Sequence, residues 1–285
     1  MRKQVALLLT ISILFISFAA IFVKLSESPA TIISMYRMGL SALFLLPIAF
    51  LKRNELNRLS KKEWLLLTSA GVFLALHFAF WFESLKLTTV ASSTIILSLQ
   101  PLVSLAFGYL FFRERVSLVE FMTIAIAIVG VSMIGWSDVS DSNPAMILGD
   151  VLSFLSVVAI VVYLFVGRNI VKKISHWLYS FSVFFIAACT LALYNAFKQI
   201  PMSGYGIREW GIFLLLAILP TIAHVIFNYL LNVVTPTTIS LSILGEPVGA
   251  TLLAFLLLEE AVTAMQLVGG AFVLFGVFLY IKHRS

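Results

Sequence analysis

This sequence carries little charge, one cysteine, and none of the compact motifs that mark nucleotide-driven or hydrolytic chemistry. Only 11% of its residues are Asp, Glu, Lys or Arg, against about 25% in soluble domains. A water-soluble fold of 285 residues could not cover its surface with so few charges. The lone Cys189 sits inside an apolar run. It excludes an intrachain disulfide and any multi-cysteine metal site, and it reads as packing. No G-x-x-x-x-G-K-S/T segment is present, so ATP drives nothing through this chain. G-x-S-x-G is also missing, and Asp138, Asp141 and Asp150 cluster in one loop and the adjacent helix start instead of pairing inside an apolar run. The chain is therefore not read as an enzyme. A channel's charged ring or repeated filter segment is not visible either.

What is abundant is apolar surface. Hydrophobic residues make up 61% of the chain and mean hydropathy is +1.07, which fits a polytopic membrane protein. The net charge of +6 then follows from basic cytoplasmic loops, not from a nucleic-acid partner. Windows of about 20 apolar residues give ten spans, over 4–23, 30–51, 64–82, 89–112, 118–136, 147–166, 177–197, 210–231, 237–258 and 263–281. Arg2-Lys3 ahead of the first run resembles a signal peptide, but the run is longer than a usual signal core and is expected to be a retained helix. Trp64, Trp177 and Trp210 fall at span ends, as interface anchors do.

Basic residues orient the spans. With the N-terminus inside, 14 Lys and Arg fall on the inner side. Four fall outside (Lys24, Lys86, Lys198 and Arg208), and Arg37 lies within the second span. That bias predicts both termini in the cytoplasm of a cell-membrane protein.

The chain also repeats itself. Shifted by 146 residues, Trp64 falls on Trp210, Gln100-Pro101 on Glu246-Pro247, Glu114-Arg115-Val116 on Glu260-Ala261-Val262, and Gly130-Val131 on Gly276-Val277. Residues 1–136 and 147–285 thus read as two five-span units. Five is odd, so the second unit inserts upside down relative to the first. The expected architecture is an all-α membrane protein of ten helices, in two inverted five-helix repeats around a central cavity.

The run Ala91 to Gly130, with its Gln100-Pro101, its Phe111-Phe112-Arg113-Glu114-Arg115-Val116-Ser117 end and its glycine-bearing last helix, resembles the EamA-type repeat of the drug/metabolite transporter superfamily. Glu246-Pro247, Leu257-Leu258-Glu259-Glu260 and Gly269-Gly270 with Gly276 resemble it again, as does Ser84-Leu85-Lys86-Leu87-Thr88-Thr89-Val90-Ala91. The second copy departs where Arg115 becomes Ala261, as an outward-facing loop would. The resemblance implies ten helices, an inverted-repeat basket and a cavity opened alternately to either side. It does not specify the substrate.

Polar residues inside apolar spans are costly unless they face protein or water. Glu246 lies near the middle of its span, with Ser242 one turn earlier on the same face. It reads either as a carboxyl that binds a proton or a substrate ammonium, or as a buried neutral acid. Pro247 and Pro101 each remove a backbone hydrogen bond, and their repetition suggests symmetric hinges beside Glu246 and Gln100. His77 and Trp81 share a helix face, as do His224 and Asn228 on the equivalent span. These four read as cavity-lining or as packing, and no metal site is expected from two lone histidines. Arg37, about 10 Å into its span by helical rise, reads as a partner for a substrate carboxylate or as a side chain that snorkels to the headgroups. Glu114 and Glu260 are expected to cap helices or to pair with Lys and Arg. Gly130, Gly269, Gly270 and Gly276 permit close helix approach, within the pair of repeats or in a homodimer.

The function expected is secondary transport of small organic solutes, as an exporter of amino acids or related metabolites, by alternating access with proton coupling as one option. The alternatives are a multidrug efflux carrier and a passive channel. Substrate is expected to meet Arg37, His77, Trp81, Gln100, His224, Asn228 and Glu246, with Pro101 and Pro247 as hinges. The expected partners are that substrate, the lipid bilayer and a second copy of the chain. No cofactor is expected.

Overall fold

The computed structural model describes residues 2–112, 117–140, 143–167, 170, 173–230, 243 and 245–284. Among the described residues helices are joined by short turns and no strand occurs. In chain order they are α1 (Arg2–Leu25), α2 (Ala30–Lys52), α3 (Lys61–Leu87), α4 (Val90–Leu97), α5 (Gln100–Phe112), α6 (Leu118–Ser140), α7 (Pro144–Gly167), α8 (His176–Phe197), α9 (Ile207–Leu230), α10 (Gly245–Leu258) and α11 (Ala264–Arg284). A 3-10 turn, Arg53–Arg58, links α2 to α3. Among the described residues, six segments are long and apolar enough to cross a membrane: Leu7–Leu25, Ala30–Arg58, Lys61–Leu87, Val90–Leu110, Pro144–Gly167 and His176–Phe197. Shorter apolar helices cover Leu118–Met133, Gly245–Leu258 and Ala264–Leu279.

Helix starts are written in the sequence as caps. Ser60 and Glu63 form a reciprocal capping box at α3. Ser117 and Glu120 do the same at α6, with N–H to side-chain distances of 2.7 and 3.2 Å. Thr263 and Gln266, 146 residues further on, repeat that box at α11 with both bonds at 3.1 Å. The repeat thus extends to the hydrogen bonds that start its helices.

The fourth expected span is broken. α4 ends at Leu97, Ser98 and Leu99 form a turn, and α5 starts at Gln100. Pro101 has no N–H for the Leu97 carbonyl and crowds it, so the helix stops one turn earlier than the proline itself. The Ser98 hydroxyl closes the end by donating to the Ile95 carbonyl at 2.6 Å. In the second half Glu246 and Pro247 lie in the first turn of α10, while residues 231–242 and 244, Ser242 among them, lie outside the described residues.

α3 runs through the centre. Its Leu67, Leu74, Phe78, Phe82 and Leu85 pack with Ile21 of α1, Ile33 and Met38 of α2, Val183 of α8 and Phe213 of α9. The packing repeats as the sequence does. The shift carries α1 onto α7 and α3 onto α9, and α3 lies on α7 as α9 lies on α1. α2 against α8 and α6 against α11 are each their own counterparts. In the α6–α11 pair, Gly130 faces Gly269 and Val273 while Gly276 faces Thr123 and Ala127, the same contacts with the halves exchanged. Leu51, Leu65, Phe121, Phe185, Leu193 and Phe197 point outward, as lipid-facing side chains do.

Candidate functional site

α2 and α3 bring together three positions that the sequence singles out, Arg37, His77 and Trp81, and Glu246 of α10 acts on Arg37 electrostatically. Arg37 comes from the second turn of α2, flanked by the buried Ser34 and Ser41 on the same face. It does not snorkel. Its residue is 5% exposed, and its guanidinium lies over the Phe78 ring at 4.0 Å and near the Phe82 ring at 5.4 Å. The two phenylalanines, one turn apart on α3, hold the cation inward by cation–π attraction.

The guanidinium is incompletely satisfied. Its Nη1 is buried with no hydrogen-bond partner, and so is the Oγ of Ser34 one turn away. The charge that Arg37 feels is that of Glu246, and Arg37 is in turn the charge that Glu246 feels. None of the ion pairs among the described residues joins the two.

Trp81, one turn beyond Phe78 on α3, is 4% exposed and its ring lies 5.2 Å from that of Phe82. Its Nε1 is also buried without a partner. His77 stacks on Trp81 at 6.0 Å and meets Phe78 edge-on at 4.7 Å. Its Nδ1 is bonded to the Ser156 carbonyl of α7 at 3.0 Å. A carbonyl only accepts, so Nδ1 carries the proton, and this bond fixes the ring's orientation.

Glu246 is carried to this place by α1. The Ser17 hydroxyl donates to the Glu246 carbonyl at 3.4 Å and to Ile13 at 2.8 Å. A methyl group on Gly249 would stand 2.5 Å from that hydroxyl, and one on Gly245 3.2 Å from Ile13. The G-E-P-x-G pattern thus places two glycines where α1 crosses, and the acid between them. Its neighbour Pro247 is buried. Gln100 and Pro101 stand at the start of α5, which packs mainly on α7. α9 includes positions 224 and 228, but the side chains of His224 and Asn228 lie outside the described residues.

A second polar assembly, which span reading missed, joins the helix ends on the side assigned to the exterior. Lys24 of α1 pairs with Glu260 at 2.8 Å and donates to the Thr88 carbonyl at 2.8 Å. Lys86 of α3 returns the gesture, donating to the Ser26 carbonyl at 3.0 Å. Glu260 also accepts the Val90 N–H at 2.8 Å, so it caps a helix of the other half. Gln266 reaches Thr89 and Ser92 at 3.2 and 2.9 Å, and Thr88 reaches Asp150 at 3.1 Å. The lysines come from the first half and the acids from the second. Glu260 caps and pairs as its place at a span end predicts, and the signal for its partners is the lysine at each outer span end, which span reading uses only for topology. The expected cap at Glu114 lies outside the described residues.

Two grooves lie elsewhere. One, of about 400 Å³, opens between α2 and α8 beside Gly39 and Ala188; the other, of about 420 Å³, lies on α6 beside Trp136.

The EamA-like transporter family matches residues 3–136 and again residues 147–282. Two proteins of Archaeoglobus fulgidus, each described as an uncharacterized transporter, are 24% and 26% identical to the chain. The alignments cover 100% of both sequences in the first case and 98% of both in the second. A protein crystal structure 18% identical superposes over 98% of both chains with a TM-score of 0.63. At that identity the likeness shows the fold alone.

Proposed function

We infer that this chain, which belongs to the EamA-like transporter family, is a secondary carrier of small organic solutes that binds its substrate between Arg37 and Glu246. The observation that carries this reading is the buried, unpartnered Nη1 of Arg37, whose guanidinium is acted on by the Glu246 charge and joined to it by no ion pair among the described residues. A buried charge left without a hydrogen-bonded partner costs several kcal/mol, about 3–5 when an existing partner is removed. A ligand that supplies an acceptor to Arg37 and a donor to Glu246 removes both penalties in one step. An amino acid or a related metabolite has that pairing of carboxylate and ammonium. Phe78, Phe82 and Trp81 give the site an apolar wall, and the Trp81 Nε1 offers a further donor.

Alternating access follows from the repeat. Ten spans in two inverted halves, with both termini in the cytoplasm of the cell membrane, put Arg37 and Glu246 on different halves, so rocking one half against the other moves the site between faces. Export is the direction that the family resemblance favours. Without substrate, a proton on Glu246 neutralises the acid and lets the empty carrier return. His77, held by Ser156, and the equivalent helix α9 with His224 and Asn228 border the path. The break at Ser98–Leu99 ahead of Pro101, and the first turn of α10 at Pro247, act as its hinges.

The test is transport by purified protein in liposomes. Saturable counterflow of labelled amino acids supports the carrier. Non-saturating flux points to a pore, and transport of bulky apolar cations alone points to drug efflux.

A further inference from the structure

Glu63 and Glu209 stand at the same position in the two halves, 146 residues apart, and each is the third residue of its helix. Each carboxylate reaches a turn that belongs to the other half. Glu209 of α9 binds the turn between α1 and α2, and Glu63 of α3 pairs with Lys173 in the turn between α7 and α8. Even the targets correspond, since the shift carries Glu27 onto Lys173. With the termini inside, the first link closes the outer face and the second closes the inner one.

The two links differ in strength, and the residue before each helix explains why. Ahead of α3 stands Ser60, whose N–H and hydroxyl both donate to Oε2 of Glu63 at 2.8 Å. That oxygen is used locally, and only Oε1 is left for the side chain of Lys173, which is half exposed to water. Ahead of α9 stands Gly206, which has no hydroxyl to offer. Glu209 is therefore free to commit both oxygens to the other half. It accepts the hydroxyls of Ser26 and Ser28, the latter at 2.6 Å, and the Glu27 N–H at 3.1 Å. Its residue is only 9% exposed. Several charge-assisted hydrogen bonds in a nearly dry setting hold far better than one ion pair screened by solvent. The neighbours widen the difference. Among the described residues, Lys24–Glu260 and Arg208–Glu27 add ion pairs between the halves on the outer face, where the inner face adds the Ser175 N–H to Glu55 at 2.6 Å and the Ser117 hydroxyl beside His283 at 3.2 Å.

We propose that Glu209 and Glu63 are the outer and inner gate latches of this carrier, and that their inequality makes the substrate-free protein rest sealed to the outside and open first to the inside. Opening outward breaks the whole set at Glu209. Opening inward breaks one exposed pair at Glu63. The proposal rests on the alternating-access reading above, and its test needs no substrate.

The reporter is Ser34→Cys on a Cys189→Ala background. Ser34 is fully buried near the start of α2, just beneath the turn that Glu209 holds. A membrane-impermeant maleimide is added to right-side-out vesicles and the labelling rate is measured. Adding Glu209→Ala raises that rate tenfold or more, and Glu63→Ala does not raise it. The pair Ser26→Ala with Ser28→Ala, which strips the hydroxyl donors and leaves α9 untouched, reproduces the increase, so the test stands even where Glu209→Ala folds poorly. A rate within twofold of the parent in both outer variants overturns the proposal, as does an equal increase in Glu63→Ala. A labelling response with no solute transport by the Cys189→Ala parent, which keeps Ser34, counts against the carrier reading and not against the latches. Unchanged labelling with transport intact counts against the latches alone.

Discussion

Gly130 and Gly269 meet backbone against backbone: a methyl group on Gly130 would stand 2.5 Å from the Gly269 carbonyl oxygen. The opposite contact, Gly276 on the Thr123 carbonyl at 2.9 Å, is the same approach with the two halves exchanged. Neither neighbouring carbonyl can move without breaking its own helix, so α6 and α11 must separate to admit any side chain.

Gly130→Val is therefore expected to cost about 1–3 kcal/mol, the usual range for overpacking, and to lower the melting temperature in detergent. Gly211→Ala is the control. Its Cβ meets nothing within 4 Å, and alanine's helix propensity favours it by about 1 kcal/mol. Scanning fluorimetry of both variants should move in opposite directions.

Lys24 and Glu260 couple helix ends of the two halves at 2.8 Å, both about a fifth exposed. A double-mutant cycle with Lys24→Met and Glu260→Gln should give a coupling energy of about 1–3 kcal/mol in thermal or denaturant stability, as for hydrogen bonds to charged groups. A coupling near zero would show that the pair is held only by its surroundings.

Much of this architecture is legible in the chain itself. Ser60, Ser117 and Thr263 announce their helices because capping is local chemistry. The first missed detail is the end of α3. Hydropathy stops near residue 82 because Glu83 and Lys86 are charged, yet the helix runs on to Leu87, since the Ser26 carbonyl receives Lys86. The second is the break at Ser98, placed one turn before the proline that causes it. Glu246 and Arg37 stand out in the sequence as polar residues at membrane depth. That Arg37 turns inward onto Phe78, and that its opposite charge lies on α10, depends on contacts far apart in sequence, which no local pattern encodes. The two glycines around Glu246 likewise gain meaning only once α1 is seen to cross them.

Topology has a direct check. On a Cys189→Ala background, Asn143→Cys ahead of α7 should react with impermeant maleimide from outside, and Asn57→Cys between α2 and α3 only from inside. Reaction of both from one side would contradict the inverted arrangement.

Arg37 separates substrate classes. Arg37→Gln keeps a donor and removes the charge, so KM for amino acids should rise tenfold or more, while solutes without a carboxylate lose little. The two KM ratios, measured in the same liposomes, are the readout. Equal effects on both kinds of solute would mean that Arg37 serves packing and not recognition.

Glu246, on α10 where α1 crosses it, is the group proposed to hold the proton and the substrate's positive end in turn. Glu246→Gln keeps the size and the hydrogen-bonding capacity and removes the titration. The decisive measurement is the pH profile of amino-acid transport in liposomes containing equal amounts of folded wild-type and Glu246→Gln protein. The account predicts a pH-dependent rate for the wild type, and for the variant either no transport or a rate that no longer changes with pH. Wild-type rates with an unchanged profile in Glu246→Gln would contradict it.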